Sequence, residues 1–310
     1  MTNGYLSQKN GIGAEYQPAP TAAHDITVTD GPITRRIDVT RKNSPLCRSV
    51  VTLYRAATYA DLTFDLDLSI PVGENGGAND TSVNYAIGFP IVSSKQLWLD
   101  GPGMVFCAPD DILPGGGSPQ QTPLHFVHFQ KDGQSGITLA NRDAFLLRPD
   151  RLFLLASVSL LAQTRDEGTE RLFRTEPHGS NIQSFRFRIA AQDQDVASWK
   201  NLGIELNLPL QASIISATTL PPEQSFFSVS HPNVRITAFK PAEFQHGWHV
   251  IRFQEIGGKT AENVRLVTQF RFSEAMIANT VERPTGAKAD LSNFHLSPWQ
   301  TLTVLVRMQR

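Results

Sequence analysis

The chain has 310 residues, of which 40% are hydrophobic and 18% are charged, a composition typical of a globular protein with about two domains. Its 28 basic and 29 acidic side chains leave a formal net charge of -1, so bulk charge predicts neither a nucleic acid nor an anionic membrane as partner. The two cysteines, Cys47 and Cys107, are too few for a disulfide scaffold and are not spaced as zinc-finger ligands.

Residues 1–27 are polar and contain prolines, which predicts a tail that precedes the folded domains. They lack the continuous apolar segment of a signal peptide. No later run approaches the roughly 20 apolar residues that a membrane-spanning helix requires. The sequence therefore predicts a soluble chain without a membrane segment, and it leaves the compartment unknown.

Alternation of apolar and polar residues with a period of two dominates the rest of the chain. Successive side chains of a strand point to opposite faces, so this period predicts half-buried antiparallel strands. The clearest runs cover residues 62–70, 264–272 and 302–308, and glycine-containing turns separate such runs. The predicted fold class is all-β.

Two segments depart from the alternation. Residues 152–161 are apolar on both faces, as in a central strand or a strand buried between two sheets. Residues 195–201 are the best helical candidate, a short connector that Asp195 would cap.

The clearest break in composition after the tail is a proline-containing stretch over residues 211–224. It predicts a linker between a larger β domain, residues 28–210, and a smaller carboxy-terminal one, residues 225–310.

Few motifs in the chain point to chemistry. Nucleophile elbows, phosphate-binding glycine loops and the His-Glu-x-x-His metal helix are missing from the sequence. His125 and His128 are three residues apart, a spacing that puts strand side chains on opposite faces, so one metal ion would not take both. His246 and His249 flank an apparent turn without a third ligand nearby, and we interpret them as solvated turn residues.

Paired carboxylates and tryptophans are the remaining candidates. Asp65 with Asp67, and Asp193 with Asp195, are each two apart, which is more typical of a solvated strand face than of a glycosidase acid pair. Tryptophan faces stack on sugar rings as they do in cores, and the apparent turn beside Gly247 makes Trp248 the most exposed candidate.

A family resemblance emerges in the carboxy-terminal third. Residues 233–243 read NVRITAFKPAE and, after a short turn, residues 251–255 read IRFQE. This resembles a signature in the carboxy-terminal β domains of glycoside hydrolase family 38 α-mannosidases. Further pieces follow in the family's order: GPITR at 31–35, VTLY at 51–54, LHFVHFQ at 124–130, GITLAN at 136–141, FRFRI at 185–189, NLP at 207–209 and LSP at 296–298.

The resemblance covers about residues 28–308. It implies a large antiparallel supersandwich related to galactose mutarotase, followed by a smaller β-sandwich. It also implies that the catalytic machinery lies elsewhere, because the family's aspartate nucleophile and its zinc site, which includes a His-x-Asp pair, belong to an amino-terminal α/β barrel. None of the eight histidines here is followed two positions later by Asp or Glu. We therefore expect a non-catalytic region that supports such a barrel in cis or in trans, without a cofactor of its own.

The resemblance also implies which residues contact sugar. In the family this β region lends polar groups to the rim of the mannose site, and the loop with Arg165 and Asp166 is the candidate here. His178 is a further candidate, although it precedes Phe185 by more residues than the family's histidine does. With Trp248, these residues make up the predicted carbohydrate-binding set.

The charged residues of the signature, Lys240, Glu243, Arg252 and Glu255, are spaced as cross-strand ion pairs that set the register of a hairpin.

Two other functions remain open. Related supersandwiches can host acids and bases in a concave face, so the chain could be a mutarotase-like epimerase or a β-sandwich polysaccharide lyase in which His125, His128 or His178 meets a carboxylate. It could also be an interaction module that docks onto a separately encoded barrel chain.

Overall fold

The structure is a computed structural model that describes residues 2–8, 14–18, 23–67, 82–89, 96–108, 110–113, 121–130, 136–144, 146–147, 152–159, 182–192, 195–214, 221 and 223–309. These residues form two compact units. The first comprises residues 1–102, 106–194 and 201–209, and the second comprises residues 103–105, 195–200 and 210–310.

The described elements in the first two thirds of the chain are almost all strands. They are β1 (Thr2–Gln8), β2 (Ala14–Pro18), β3 (His24–Asp30), β4 (Thr34–Arg41), β5 (Leu46–Tyr54), β6 (Tyr59–Asp67), β7 (Ser82–Gly88), β8 (Gln96–Asp100), β9 (Val105–Ala108), β10 (Phe126–Gln130), β11 (Gly136–Asn141), β12 (Leu146–Leu147), β13 (Leu152–Ser159), β14 (Ile182–Gln192) and the helix α1 (Val196–Asn207).

Two antiparallel sheets build the first unit. The nine-stranded sheet has the order β3-β4-β5-β6-β14-β11-β10-β8-β9, and the five-stranded sheet has the order β12-β13-β7-β1-β2. One hydrophobic cluster takes Leu62, Phe64 and Phe187 from the larger sheet and Ile87 and Leu147 from the smaller one. The core therefore lies between two sheets, and the predicted all-β sandwich is confirmed.

Strand β6 shows how the sequence produces this core. Leu62, Phe64 and Leu66 are buried, whereas Thr63 and Asp65 between them face the other side of the sheet and are only partly buried. The apolar set joins the hydrophobic cluster, so the period of two sets which side of the sheet becomes the core.

Strands also occur where the sequence predicts a tail. Residues 1–27, taken above as polar, include β1 and β2, which pair with each other, and most of β3. The predicted strand at 152–161 is present as β13, between β12 and β7.

The helix is longer than predicted, since α1 continues from residue 201 to Asn207. Asp195 precedes it as predicted, accepting a hydrogen bond from the Ser198 hydroxyl and, at its carbonyl, one from the Trp199 N–H. Gly203 lowers helix propensity mid-element and obscures the pattern. Its backbone lies so close to His125 that a Cβ there would come within 2.9 Å of the His125 Cβ. No described helix is long and apolar enough to span a bilayer.

The carboxy-terminal part of the second unit, after residue 210, is made of short strands. They are β15 (Phe227–Val229), β16 (Val234–Pro241), β17 (His249–Glu255), β18 (Ala261–Val264), β19 (Leu266–Thr268), β20 (Phe272–Ala278), β21 (Pro284–Lys288), β22 (Phe294–Leu296) and β23 (Thr301–Met308). A five-stranded sheet has the order β16-β17-β23-β20-β21, and two strand pairs, β15-β19 and β18-β22, accompany it. Ile251, Phe253, Val264, Leu296 and Val304 are fully buried in the core of this unit.

Candidate functional site

A charged cluster occupies the face of the nine-stranded sheet that points away from the hydrophobic core. Arg188 of β14 lies directly opposite Asp61 of β6 in the strand register. Its guanidinium donates two hydrogen bonds to the Asp61 carboxylate, from Nε at 2.6 Å and from Nη2 at 3.0 Å. The Tyr54 hydroxyl donates a third at 2.8 Å, and the Tyr59 ring lies beneath the guanidinium at 3.9 Å.

Burial and charge act together in this cluster. The Arg188 side chain is only 11% exposed, and desolvation is the largest single effect on its pKa and lowers it, but the hydrogen bonds to Asp61, the negative charge of Asp61 and the nearby Tyr59 and Tyr54 together raise the pKa of Arg188. Burial, followed by the bond to Asp61, raises the pKa of Tyr54 to about 12. Tyr54 is therefore a neutral hydrogen-bond donor at physiological pH, and the cluster forms a polar platform on this face of the sheet.

Further ion pairs extend the same platform along the sheet. Arg48 of β5 bonds Asp38 of β4 through Nε at 2.9 Å, and on the other side Arg186 of β14 bonds Asp143 through Nε at 2.8 Å. The hydrogen bond from Arg48 lowers the pKa of Asp38 against the opposing effect of burial. Asp65, one of the paired carboxylates, accepts the Ser184 hydroxyl at 2.6 Å, which agrees with its interpretation as part of a polar strand face.

A second arrangement pairs His125 with Asp100 in the same unit. The His125 Nδ1 and the Asp100 Oδ2 are 2.8 Å apart. The Asp100 side chain is 1% exposed and that of His125 is 35% exposed, so a buried acid holds an accessible imidazole. A carboxylate accepts hydrogen bonds, so Nδ1 is the donor in this pair, and in the neutral imidazole the lone pair is then on Nε2.

His128 has a different environment from His125. Its ring is fully buried, and Nδ1 lies 2.9 Å from the hydroxyl of Thr138. Burial lowers the pKa of His128 to about 4. The two histidines therefore have different hydrogen-bond partners.

The carboxy-terminal unit contains a separate network around Glu282, a residue with positive φ in the turn between β20 and β21. Its carboxylate lies 2.6 Å from Lys240 Nζ and 3.9 Å from Arg252 Nη2, and it accepts the Glu243 N–H at 2.9 Å. The hydrogen bond from Lys240 is the largest of the effects that lower the pKa of Glu282.

Glu255, the last residue of the family-like signature, is fully buried and binds three backbone N–H groups. Gly257 donates to Oε1 at 2.7 Å, while Gly258 and Trp299 donate to Oε2, each at 2.9 Å. The predicted hairpin is confirmed as β16 and β17, but its signature charges do not pair with one another. Lys240 and Arg252 pair with Glu282 instead, because the register places them opposite Val250 and Ala238.

Comparison with known proteins bears on the fold. No protein-family model and no curated protein matches the chain. An α-mannosidase from Enterococcus faecalis V583 matches in structure with a TM-score of 0.68 at 12% sequence identity, over 99% of this chain and 38% of that one. A glycosyl hydrolase family 38 protein from Enterococcus faecalis matches with a TM-score of 0.66 at 13% identity, over 99% of this chain and 40% of that one.

This chain has the fold of part of an α-mannosidase. The resemblance drawn from the motifs is thus confirmed at the level of fold. The chain spans about two fifths of the length of each of these proteins.

Of the four predicted carbohydrate-binding residues, only Trp248 is described. Arg165, Asp166 and His178 lie outside the described residues. Trp248 is half-buried beside the turn at Gly247, and its ring packs against a small cluster that includes Val250 and Leu305. One part of its surface is thus accessible while the rest is held in place.

Only one member of the other histidine pair lies in this turn. His246 is there and exposed, whereas His249 is the first residue of β17, and its ring stacks on Phe239 with centroids 5.5 Å apart.

Zinc, which the resemblance places in a barrel outside this chain, has no fitting donor set in the residues described above. No group of three or more His, Cys, Asp or Glu side chains there could hold a metal ion.

Sequence reasoning missed the Arg188 cluster and the His125–Asp100 pair. The alternation of β14 did signal that Arg186 and Arg188 share the outer face, because Phe185 and Phe187 alternate with them. No spacing rule links Arg188 to Asp61, or His125 to Asp100, because strand order sets those neighbours.

Proposed function

We propose that this chain is a non-catalytic, carbohydrate-associated β region of an α-mannosidase-like protein of glycoside hydrolase family 38. The observation that carries the proposal is the structural match to an α-mannosidase over 99% of this chain. In that role the chain supports a catalytic α/β barrel, in cis or in trans, and contributes to sugar recognition.

The hydrogen bonds between side chains on the nine-stranded sheet are consistent with a structural role beside a catalytic barrel. On the outer face of the nine-stranded sheet, Arg188 and Tyr54 both donate hydrogen bonds to the Asp61 carboxylate. Groups that are paired in this way hold strands in register and lose little entropy when another surface covers them.

The family's chemistry requires a nucleophile and a zinc site, which we assign to the barrel. A zinc site needs about four ligands and a retaining glycosidase needs a carboxylate nucleophile beside its acid. The chain lacks any His-x-Asp or His-x-Glu pair. The purified chain alone is therefore expected not to cleave an α-mannoside.

The test uses the full chain with nitrophenyl α-mannoside, with and without added zinc. The expected result is release no faster than in buffer. Zinc-dependent release that follows the purified protein through chromatography would refute the non-catalytic assignment.

Sugar recognition is tested separately through Trp248. We assign one sugar contact to its accessible surface, and we propose Arg165, Asp166 and His178, which lie outside the described residues, as sugar contacts separate from that of Trp248. Titration with mannose oligosaccharides should change the tryptophan fluorescence of the wild type, and Trp248→Phe should abolish the change. Trp199→Phe is the matched control, because Trp199 is buried and should not report binding. An unchanged titration curve in Trp248→Phe would exclude this residue.

The His125–Asp100 pair favours one alternative function, a mutarotase-like epimerase. A histidine oriented by a buried carboxylate is suited to accept a proton at Nε2 and return it, which is the acid and base chemistry that ring opening of a sugar hemiacetal requires. Polarimetric mutarotation of a fresh sugar solution tests this. Acceleration that is lost in His125→Asn and kept in His246→Asn would support the epimerase; a rate equal to the buffer rate would eliminate it.

A further inference from the structure

The open edge of the nine-stranded sheet carries an unusual strand. Among the described residues, β3 lies at the end of the sheet and pairs with β4 alone. All seven of its residues are exposed. It contains neither proline nor lysine, which commonly protect an edge strand from pairing with another strand.

The apolar side chains of β3 continue a stripe that begins in the core. Val51 of β5 packs against the core cluster of the first unit, Ile37 of β4 lies opposite Val51, and Val28 of β3 lies opposite Ile37. At the open end of the stripe, Ile26 is 59% exposed and Val28 is 51% exposed. One further strand at this edge would cover both side chains.

The backbone groups that face the open edge follow from two hydrogen bonds at the ends of the β3–β4 hairpin. Gly31 N–H donates to Thr34 O at 2.8 Å, and Lys42 N–H donates to Ala23 O at 3.4 Å. Hydrogen-bonded pairs in an antiparallel ladder recur every second residue. The odd-numbered residues of β3 therefore bond to β4, and the backbone groups of the even-numbered ones face outward: His24, Ile26, Val28 and Asp30.

We propose that a second copy of this chain docks on this edge, β3 against β3, by two-fold antiparallel pairing centred on Thr27. This register places Ile26 opposite Val28 of the second copy and His24 opposite Asp30 of the second copy. The outward backbone groups of Ile26 and Val28 in both copies then fall in hydrogen-bonded pairs, giving about four inter-chain hydrogen bonds.

Charge and chemistry favour this register over others. The strand begins with His24 and ends with Asp30, so the antiparallel two-fold places an imidazole opposite a carboxylate and sets Asp25 opposite Thr29. No two carboxylates face each other directly. Arg55 bonds only Oδ1 of Asp30, at 2.7 Å, so the second carboxylate oxygen can serve the partner.

Hydrogen bonding at the edge is tested with Val28→Pro on the full chain. The Val28 N–H faces outward, so proline removes an inter-chain donor without removing a bond to β4. Val28→Thr is the matched control, because it keeps the N–H and the β-branched shape. Sedimentation should show a concentration-dependent dimer for the wild type and Val28→Thr, and a monomer for Val28→Pro. The circular dichroism spectrum of Val28→Pro should match that of the wild type at a concentration at which the wild type is monomeric.

The register is tested by oxidation of single cysteine variants. Pairing centred on Thr27 puts the Thr27 Cα atoms of the two copies about 4.5 Å apart, within disulfide range. Thr27→Cys should therefore form a disulfide-linked dimer about tenfold faster than Thr29→Cys, which shares its face but lies opposite Asp25. The wild type controls for Cys47 and Cys107, which are half-buried and buried.

Three results would overturn the proposal. They are a wild type that sediments as a monomer at every concentration, a dimer that survives Val28→Pro, and cross-linking of Thr29→Cys as fast as that of Thr27→Cys. The first result would mean that a second copy does not cover the β3 edge, and a strand from a different chain would then be the remaining candidate.

Discussion

Replacing Glu255 with glutamine tests how the carboxy-terminal unit is held together. The Glu255 carboxylate is fully buried and accepts three backbone N–H bonds, one at Oε1 and two at Oε2. Glutamine has nearly the same shape, but it presents one oxygen and one NH₂ group. The substitution therefore changes hydrogen bonding with little change in volume.

The magnitude follows from the geometry. With its oxygen on the side of Gly258 and Trp299, glutamine keeps two bonds and turns its NH₂ group toward the N–H of Gly257. One charge-assisted bond is lost, at about 1.5–3 kcal/mol, and a buried donor is left unsatisfied, at about 1–3 kcal/mol. The other orientation loses two bonds. We expect Glu255→Gln to lower the free energy of unfolding by about 3–5 kcal/mol, which for a unit of this size lowers Tm by at least about 12 °C.

Calorimetry on the full chain measures this, because it separates the transitions of units that unfold independently. Glu243→Gln is the matched control, since its side chain is exposed and only its backbone N–H bonds Glu282, so it should change stability by less than about 0.5 kcal/mol. A Glu255→Gln protein within 1 kcal/mol of the wild type would refute the reasoning that these three bonds hold the turn.

Three further predictions concern the first unit. The pKa of His128 is about 4 in the fold, so as pH falls below about 6.5 the unfolded chain is protonated at this histidine before the folded chain is. Urea unfolding should therefore show a stability loss of about 3 kcal/mol between pH 7 and pH 4, and this loss should be missing in His128→Leu. Parallel pH curves for the two proteins would contradict this. Gly136→Ala should destabilise by at least about 2 kcal/mol in the same assay, because its Cβ would lie 2.3 Å from His128 Nε2; a neutral result would show that the ring is not held there. Arg188→Lys should lower the free energy of unfolding by about 1–2 kcal/mol, because lysine keeps the charge but cannot make two parallel hydrogen bonds to Asp61. Arg55→Lys is the control, because Arg55 belongs to an exposed ion pair, and it should leave stability nearly unchanged.

Local pattern accounts for much of the fold. The alternation around Leu62 and Phe64 predicts both the strand and its buried face, since a strand with one apolar side has a single favourable orientation. Only the first half of the helix is predicted, because Gly203 weakens the helical pattern after residue 201. The close approach of the helix backbone to His125 explains why a glycine occupies position 203.

The candidate site is less predictable because its partners are distant in sequence. Arg188 and Asp61 meet across a strand pair that joins β14 to β6. Lys240 and Arg252 were expected to serve their own hairpin, yet both reach Glu282, which comes from a turn later in the chain. A period or a spacing describes neighbours along one strand, and it carries no information about which strand lies beside it.

The order of residues alone was sufficient for the strand class, the core-facing side of β6 and the resemblance to an α-mannosidase region, because each depends on neighbours within a few positions or on the order of short motifs. The sheet order, the pairing of His125 with Asp100, the burial of Glu255 and the exposed edge at β3 emerged only from the folded chain. They depend on contacts between segments that are distant in sequence. Those contacts form when the whole sheet buries its apolar face. Each buried polar group then bonds to the partner that this arrangement places within hydrogen-bond distance.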